Sequence, residues 1–489
     1  MSVIFENSRF FRQQGYINGQ WVDADSGNTF DVTNPATGEV IARVADMGAA
    51  ETARAIDAAE AVQAEWAALP ARTRCNRLER WYQAILDNRK ELGQIMTVEQ
   101  GKPIAEAIGE VAYGASYIKW FAEEGKRVYG DIIPAPMTDK RNLVIKQPVG
   151  IVGAITPWNF PSAMLARKLA PALAAGCVVV AKPAAETPLS ALALAVLAEE
   201  AGIPAGVINL VTGMDAPAIG SELTSNPKVR KITFTGSTRV GKLLMEQCAG
   251  TMKRTSMELG GNAPMIVFDD ADLDIAIPGA LAAKYRNSGQ TCICSNRIFV
   301  QDGIYDEFIE RLKSEVEKFS IGNGLEEGVT HGPLITEAAA LGVESKVQDA
   351  LEQGARVVTG GARSENGPCF FQPTIIADAV PSMRVFREEI FGPVAPIFRF
   401  GNEEEVVELA NNTEFGLAAY FYTENMNRMW RVSEALEYGM VGVNETAISS
   451  EVIPFGGMKE SGQGREGSRY GMDDYLETKL ICVGGLDRK

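Results

Sequence analysis

Histidine is almost absent from this chain of 489 residues, in which His331 is the only one. A site where several histidines hold a metal is therefore excluded, and any Ser-His-Asp or Cys-His mechanism would have to use His331. This residue lies in Thr330-His331-Gly332-Pro333, a turn-like context that predicts a histidine of a surface loop. No pair of cysteines has the Cys-x-x-Cys spacing of a zinc site, so we expect no metal.

The sequence also lacks an apolar run of the roughly 18 residues that a membrane-spanning helix needs. Its 47 Lys and Arg against 63 Asp and Glu give a net charge of −16, which repels nucleic acid and anionic membranes. The segment Met1–Arg12 has no apolar secretory core. Seven scattered cysteines, an odd number, indicate reduced thiols. We expect a cytoplasmic protein that binds neither nucleic acid nor membrane.

Hydrophobic periodicity predicts an α/β fold. Residues 50–126 contain amphipathic stretches such as Glu51–Trp66 and Arg74–Asn88, which predict helices. Short β-branched runs then alternate with helical patterns, which is typical of a mostly parallel sheet covered by helices. These segments are Gly150–Thr156, Ser162–Ala175, Cys177–Ala181, Pro188–Ala201, Val207–Val211, Lys231–Thr235 and Thr238–Ala249. A second α/β stretch follows after about residue 259 and predicts another sheet. Its strand-like segments are Ile298–Gln301, Arg356–Val358 and Val394–Arg399, and its helix-like segments are Tyr305–Phe319 and Glu403–Asn411.

Two segments stand outside these α/β patterns. Asp131–Asn142 is rich in proline and charge, and Asp473–Gly485 is predicted to be an extended strand. They suggest a projecting sheet that pairs with another subunit, and a simple exposed hairpin is the alternative.

Two strand ends carry features suited to an anion. After Lys231–Thr235, the run Gly236-Ser237-Thr238-Arg239-Val240-Gly241 leads into a helix, whose first amides can bind a pyrophosphate. Its spacing is not the usual glycine fingerprint, so an ordinary strand-to-helix turn is the alternative. Lys182 ends another strand, before a helix that Thr187 would cap and Pro188 would begin. A surface lysine is the alternative there.

One cysteine has the context of a nucleophile. In Asn287-Ser288-Gly289-Gln290-Thr291-Cys292-Ile293-Cys294, small polar residues precede Cys292, which favours an accessible thiol. Without histidine it needs another base, and Glu258, among apolar residues and glycines, is a candidate because burial would raise its pKa. A capping or salt-bridged glutamate is the alternative. Cys292 and Cys294 are also close enough to form a disulfide if the loop bends.

Taken together, the motifs resemble the aldehyde dehydrogenase superfamily, from about Tyr16 to Leu486. The segments that carry the resemblance are Pro157-Trp158-Asn159-Phe160-Pro161, Lys182-Pro183-Ala184, Phe234-Thr235-Gly236-Ser237, Glu258-Leu259-Gly260-Gly261-Asn262, Gly289-Gln290-Thr291-Cys292, Glu389-Ile390-Phe391-Gly392-Pro393 and Pro454-Phe455-Gly456-Gly457. The resemblance implies two Rossmann-like α/β lobes and a small projecting oligomerisation sheet. The implied division is a dinucleotide-binding domain of residues 1–126 and 147–258, a catalytic domain of residues 259–454, and an oligomerisation element of residues 127–146 and 467–489. Assembly as a homodimer or homotetramer is also implied.

The resemblance assigns catalytic roles to three residues. Cys292 would attack an aldehyde and pass through a thiohemiacetal to a thioester, Asn159 would help to bind the oxyanion, and Glu258 would activate the hydrolytic water. For NADP or NAD, it implies contacts from Trp158, Gly236 and Ser237 to the pyrophosphate, from Lys182 to the adenosine ribose, and from Glu389 and Phe391 to the nicotinamide ribose. Strictly NAD-preferring members carry a glutamate where this chain has Ala185, with Glu186 one position later. We therefore expect NADP to be used at least as readily as NAD.

Within the superfamily, three segments resemble bacterial succinate-semialdehyde dehydrogenases and their relatives that act on glutarate semialdehyde: Pro157–Lys168, Lys284–Asn296 and Ser461–Gly471. In that branch, residues that match Arg167, Arg286 and Ser449 hold the distal carboxylate of the substrate. A structural ion pair is the alternative for Arg167, and the spacing does not separate the two chain lengths. From other classes, a cysteine hydrolase or acyltransferase is disfavoured by the missing histidine partner. A non-catalytic relative is disfavoured because Cys292, Glu258 and Asn159 are all present.

Overall fold

The computed structural model describes residues 8–487 and contains three larger sheets and one hairpin. Its strands are β1 (Gly15–Ile17), β2 (Gln20–Val22), β3 (Thr29–Thr33), β4 (Val40–Ala45), β5 (Asp131–Ile133), β6 (Arg141–Pro148), β7 (Ile151–Ile155), β8 (Val178–Lys182), β9 (Ile208–Leu210), β10 (Val229–Thr235), β11 (Arg254–Glu258), β12 (Ala263–Val267), β13 (Ser295–Gln301), β14 (Arg356–Thr359), β15 (Thr374–Ala377), β16 (Val394–Phe400), β17 (Ala418–Tyr422), β18 (Met440–Val443), β19 (Gly462–Gln463) and β20 (Leu476–Val483).

The helices are α1 (Ala49–Ala68), α2 (Ala71–Asp87), α3 (Arg89–Gln100), α4 (Ile104–Glu124), α5 (Pro161–Ala175), α6 (Pro188–Glu200), α7 (Ala216–Ser225), α8 (Thr238–Ala249), α9 (Leu273–Tyr285), α10 (Tyr305–Val316), α11 (Glu337–Glu352), α12 (Arg384–Arg387), α13 (Glu403–Asn411), α14 (Met426–Ala435) and α15 (Tyr470–Asp473). Short 3₁₀ turns lie at Gly125–Arg127, Arg286–Gly289, Asp302–Ile304 and Lys459–Ser461. Within residues 8–487, no helix combines the length and apolar character needed to cross a membrane.

The first sheet has eight strands in the order β19-β11-β10-β7-β8-β9-β1-β2. Its central strands β11, β10, β7, β8 and β9 run parallel, as the alternating pattern predicts. Helix α5 is buried along its whole length, and all but the last two residues of α6 are buried, so both lie inside this lobe. Since parallel strands end at one edge of a sheet, the residues that follow β7, β10 and β11 come together there.

The second sheet has seven strands in the order β14-β15-β16-β13-β12-β17-β18, parallel except for β14. The third sheet is antiparallel, in the order β20-β6-β5, and joins the two segments that stand apart in the sequence. Strand β20 confirms the predicted extended segment. Apolar side chains on this third sheet face outward: Ile132 is 79% exposed and Leu480 is 63% exposed.

His331 corrects one expectation, because it is buried rather than part of a surface loop. Its ring lies 4.0 Å from that of Phe319 and 6.2 Å from that of Tyr285, measured between centroids. Burial lowers the pKa of His331 to about 4, so the ring is neutral at physiological pH. The role of His331 is therefore aromatic packing, and it does not line the cavity described below.

Candidate active site

A cavity of about 270 Å³ lies at the carboxyl ends of the parallel strands β7, β10 and β11. Residues from both lobes line it, and they include ten of the thirteen predicted site residues. These ten are Trp158, Asn159, Arg167, Gly236, Ser237, Arg286, Cys292, Glu389, Phe391 and Ser449. The other three, Lys182, Ala185 and Glu258, lie outside its lining.

Cys292 lies in the loop between a left-handed turn and β13. Asn287, Ser288 and Gly289 have φ values of 52°, 53° and 76°, which turn the chain before the cysteine. Gly289 is required because a Cβ there would lie 2.1 Å from the carbonyl oxygen of Gly392. Burial raises the pKa of the Cys292 thiol to about 12, and nearby Glu389 acts in the same direction. The thiol is therefore neutral at pH 7 and needs a proton acceptor to react.

The sequence motif Gly260-Gly261 follows β11 and packs against the loop that carries Cys292. A Cβ on Gly261 would lie 2.2 Å from the carbonyl oxygen of Cys292, so only glycine allows the two loops to touch. The N–H of Gly261 donates to Glu389 Oε1 at 3.2 Å. The glycine motif after β11 thus allows the cysteine loop to pack closely against it.

Asn159 follows β7, and its side chain is held from the cysteine loop. Its Nδ2 donates to the carbonyl oxygen of Gln290 at 3.0 Å. The amide nitrogen carries two hydrogens, so one remains for a group in the cavity that Asn159 lines. This is the donor that a negatively charged oxygen would require.

Glu258 is the last residue of β11 and is 3% exposed. Among residues 8–487, neither of its carboxyl oxygens has a hydrogen-bond partner, so it is not a cap. It also belongs to no salt bridge of these residues, because the nearby Arg167 and Lys168 pair with Glu466. Burial raises its pKa well above the usual value, and Glu466 adds to this, against opposing effects of Arg167 and Lys168. A carboxyl group with a raised pKa and no partner is a stronger base than an ordinary glutamate.

Arg167 projects from α5, and its counter-ion is internal. Its Nη2 lies 2.9 Å from Glu466 Oε2, and Lys168 Nζ lies 2.6 Å from the other oxygen of the same carboxylate. The guanidinium carbon lies 4.0 Å from the ring centroid of Phe455, and the side chain is 1% exposed. Arg167 therefore has the structural ion pair that the sequence left as an alternative, and it lines the cavity as well.

Arg286 and Ser449 complete the same cavity wall. Arg286 is exposed, and its guanidinium carbon lies 5.1 Å from the ring centroid of Phe160. The described residues give Arg286 no carboxylate within salt-bridge distance, in contrast to Arg167. The hydroxyl of Ser449 is hydrogen-bonded to that of Tyr113, which in turn lies 3.0 Å from the hydroxyl of Tyr117. These groups can bind an anion inside an otherwise acidic protein.

Ser237 and Lys182 lie where strands of the first sheet lead into helices. Ser237 follows β10 and precedes α8, and Lys182 is the last residue of β8. Ser237 is exposed at the N-cap of α8, where its hydroxyl accepts from the N–H of Val240 at 3.4 Å. Lys182 is 5% exposed, so it is not a surface lysine. Its single hydrogen-bond acceptor within the described chain is the carbonyl oxygen of Pro183, at 3.2 Å. Burial lowers the pKa of Lys182, and Glu186 opposes this.

The helix after Lys182 departs from the predicted capping. Thr187 holds the N-cap position, but its hydroxyl makes no capping hydrogen bond. The carboxylate of Glu99 instead accepts from the N–H groups of Leu189 and Ser190, both at 2.8 Å. Ala185 is half-buried and Glu186 is exposed. Glu186 is thus turned toward solvent.

Around the ring of Phe391, the geometry suits a flat ligand. Phe391 has a φ of 53°, and its ring meets that of Trp158 edge to face at 5.5 Å between centroids. Glu389, two residues earlier, has a carboxyl group whose burial raises its pKa to about 7. Aromatic rings and a hydrogen-bond acceptor therefore lie side by side.

Comparison with known proteins identifies this arrangement. The model of the aldehyde dehydrogenase family matches residues 21–481. The chain belongs to the aldehyde dehydrogenase family. It is 59% identical over 481 residues to the glutarate-semialdehyde dehydrogenase of Pseudomonas aeruginosa, covering 98% of this chain and 99% of that one. It is also 59% identical over 478 residues to the NADP⁺-dependent succinate-semialdehyde dehydrogenase of Escherichia coli, with the same coverage.

Solved structures agree. The crystal structure of succinate-semialdehyde dehydrogenase from Burkholderia pseudomallei superposes with a TM-score of 0.97 at 58% identity, covering 98% of this chain and 99% of that one. The predicted α/β fold of two Rossmann-like lobes is thereby confirmed.

Several residues of this aldehyde dehydrogenase site have no local sequence signal. Glu466 lies within Ser461-Gly462-Gln463-Gly464-Arg465-Glu466, which the family resemblance includes without giving the glutamate a role. Tyr113 lies in α4, whose pattern predicts only a helix. Both act through partners far away in the chain. Only their positions in the fold reveal them.

Cys294 is separated from the cavity that Cys292 lines. Its Sγ donates to the carbonyl oxygen of Lys284 at 3.3 Å, and the residue is 2% exposed. Both thiols are free. A disulfide between them would require the loop to give up this contact, and the pairing stays a prediction.

Proposed function

We propose that this enzyme oxidises a semialdehyde with a distal carboxylate, succinate semialdehyde or its five-carbon homologue, to the dicarboxylic acid. NADP or NAD would accept the hydride. The observation that carries the proposal is that one cavity brings together the Cys292 thiol, the Asn159 amide and the guanidinium groups of Arg167 and Arg286. Two relatives at equal identity act on succinate and glutarate semialdehyde by name, so both chain lengths fall within the proposal.

Cys292 would begin the reaction by transferring its proton to a base, and Glu258 is an unpaired carboxyl group whose charge acts on the Cys292 thiol. Its sulfur would then bond to the aldehyde carbon. The negative charge that develops on the aldehyde oxygen would be held by the Asn159 amide and the backbone N–H of Cys292. The nicotinamide ring, when bound, supplies the acceptor for the hydride that leaves this carbon. Cys292 would then carry a thioester.

Glu258 would then act as the base in hydrolysis of the thioester on Cys292. Once its proton has passed to solvent, the carboxylate would remove a proton from a water molecule, whose oxygen attacks the thioester carbon. The C–S bond would break and return the Cys292 thiolate, with release of the acid. A raised pKa makes Glu258 a stronger base than an ordinary glutamate, and this suits the step.

The residues present fit the dinucleotide. The buried ammonium of Lys182 has capacity for further acceptors, Ser237 presents a hydroxyl at a helix N-terminus, and Glu389 offers an acceptor for ribose hydroxyls. Ala185 itself carries no carboxylate, and Glu186, whose charge acts on Lys182, is exposed to solvent. These features support use of NADP, whose extra phosphate a carboxylate would repel.

For the domains, we propose cofactor binding by residues 1–126 and 147–258, and catalysis by residues 259–454. Residues 127–146 and 467–489 would mediate assembly; of these ranges, residues 1–7 and 488–489 lie outside the described chain. The outward apolar side chains of the third sheet support a homodimer or homotetramer. Sedimentation of the intact protein tests assembly, and a monomer at micromolar concentration would contradict it. The seven free cysteines support a reducing compartment such as the cytoplasm.

Initial rates with a panel of aldehydes test the function directly. Succinate and glutarate semialdehydes should be oxidised with a far higher kcat/KM than uncharged aldehydes of equal length, because only the former carry an anion for Arg167 and Arg286. Each aldehyde is assayed with NADP and with NAD. A preference for the uncharged aldehydes would contradict the proposal.

Cys292 and Glu258 should separate the two halves of the reaction. Cys292→Ala should abolish dehydrogenase activity, because no thioester can form. Glu258→Gln should slow steady-state turnover by about 100-fold or more, the scale of general base catalysis, and leave an acyl group trapped on Cys292. Intact-protein mass spectrometry after mixing with semialdehyde and NADP detects this group. Substantial activity in Cys292→Ala would refute the assignment.

Replacement of Arg286 should impair the anionic substrate more selectively than replacement of Arg167 does. Arg286→Met should raise KM for succinate semialdehyde by about 10- to 100-fold, the size of a lost charge-assisted hydrogen bond, and hardly change activity on butanal. Arg167→Met should impair both substrates, because it also removes a partner of Glu466. Steady-state kinetics of both variants on both substrates makes the comparison. Equal losses on the two substrates in Arg286→Met would indicate a structural role.

Ala185 should control the choice of cofactor. Ala185→Glu places a carboxylate near Lys182, which should shift kcat/KM toward NAD by about 1–3 kcal/mol, the size of a buried unfavourable polar contact. Ala185→Gln is the matched control, since it adds similar bulk without charge. A wild-type enzyme that uses NAD a hundredfold better than NADP would show that another residue excludes the phosphate.

A further inference from the structure

A buried charge cluster lies behind the loop that carries Asn159. Lys102, two residues before α4, is 2% exposed and donates from Nζ to Glu110 Oε2 at 2.5 Å. The same ammonium donates to the backbone carbonyl oxygen of Asn159 at 2.7 Å. Lys102 is absent from the lining of the cavity, so it does not reach a bound substrate. Burying two charges is costly, and such a pair is a weak source of stability, which favours a positioning role for it.

Glu110 extends the cluster to the beginning of α5. Its second oxygen, Oε1, accepts from the backbone N–H groups of Ser162 at 3.0 Å and Ala163 at 3.2 Å. These are donors of the first turn of the helix, which has no side-chain cap of its own. One carboxylate therefore binds Lys102 and also anchors the chain immediately after Asn159.

The cysteine loop is tied to the same carbonyl group. Glu106, also in α4, accepts from the backbone N–H of Asn287 at 2.9 Å. The side chain of Asn287 donates from Nδ2 to the carbonyl oxygen of Asn159 at 3.0 Å and to that of Gln290 at 3.2 Å. The Gln290 oxygen is also the acceptor of the Asn159 side-chain amide, at 3.0 Å. The backbone and side chain of Asn159 are thus clamped between α4 and the cysteine loop.

We propose that Lys102, through its ion pair with Glu110, is a positioning residue that holds the Asn159 amide where the oxyanion forms. This rests on the proposed function, in which Asn159 binds that oxyanion. A misplacement of about 1 Å in such a site lowers a rate by as much as a hundredfold. Lys102 acts through Asn159, so its contribution must vanish when the amide is removed.

A double-mutant cycle tests this on the full-length protein with its preferred semialdehyde and NADP. Lys102→Met should lower kcat about 10- to 100-fold, with KM and the dissociation constant of NADP changed less than about threefold. In an Asn159→Ala background, the same substitution should change kcat less than about threefold, because the amide to be positioned is gone. Lys102→Arg, which keeps the charge, should restore part of the loss.

Lys119→Met is the matched control, at a lysine of helix α4, which begins two residues after Lys102. Lys119 is 39% exposed and pairs with Glu79 and with Glu123 away from the cavity, so its replacement should leave kcat unchanged. Melting temperatures of all variants separate positioning from unfolding. If Lys102→Met does not fold, the combined variant Lys102→Met, Glu110→Gln removes both charges and replaces it in the cycle.

The outcomes are distinct. An unchanged kcat in Lys102→Met, or a loss of the same factor with and without Asn159, would overturn the proposal, since Lys102 would then act independently of the amide. A wild-type kcat in Asn159→Ala would contradict the proposed function itself. That second result is read from the single Asn159 variant, so the two failures are told apart.

Discussion

The site depends on a buried carboxyl group that is kept free of partners. Glu258 is surrounded by cations that could neutralise it, yet Arg167 and Lys168 both pair with Glu466 instead. Burial acts to raise the pKa of Glu466, but Lys168 and Arg167 outweigh it, and the pKa lies below the usual value. Had these cations paired with Glu258, its pKa would have fallen and it would be a poor base. Glu466 thus preserves the basicity of its neighbour.

The ion pair between Arg167 and Glu466 connects the cavity with Glu258. Arg167 lines the cavity where an anionic substrate would lie, and its counter-ion is next to the proposed base. A carboxylate that reaches Arg167 would compete with Glu466 for one guanidinium group. Arg286 is exposed and has no such counter-ion in the described chain, so in the proposed function it would contribute more to recognition of the carboxylate. In the proposed function, substrate binding and the basicity of Glu258 would therefore be coupled through Arg167.

Local patterns predicted what depends on local order. The bounds of α8 and α13 match Thr238–Ala249 and Glu403–Asn411, since helical periodicity and turn residues mark both ends. The motifs likewise located ten cavity residues. The features that the sequence did not predict depend on partners that are distant in the chain. His331 is buried by Phe319 and Tyr285, although its own segment is turn-like. Glu99 replaces Thr187 as the cap of α6, and neither Glu466 nor Lys102 has a nearby signal of its task.

Glu258 is proposed to act as a buried base with a raised pKa. The direct measurement is the pH dependence of thioester hydrolysis on Cys292, followed by rapid quench in a single turnover. The rate should fall as the pH drops through an apparent pKa well above 4.5, the usual value for a glutamate, because only the ionised carboxylate can accept a proton from water. The fall should disappear in Glu258→Gln. A rate that stays constant down to pH 5, or the same profile in the variant, would contradict this role of Glu258.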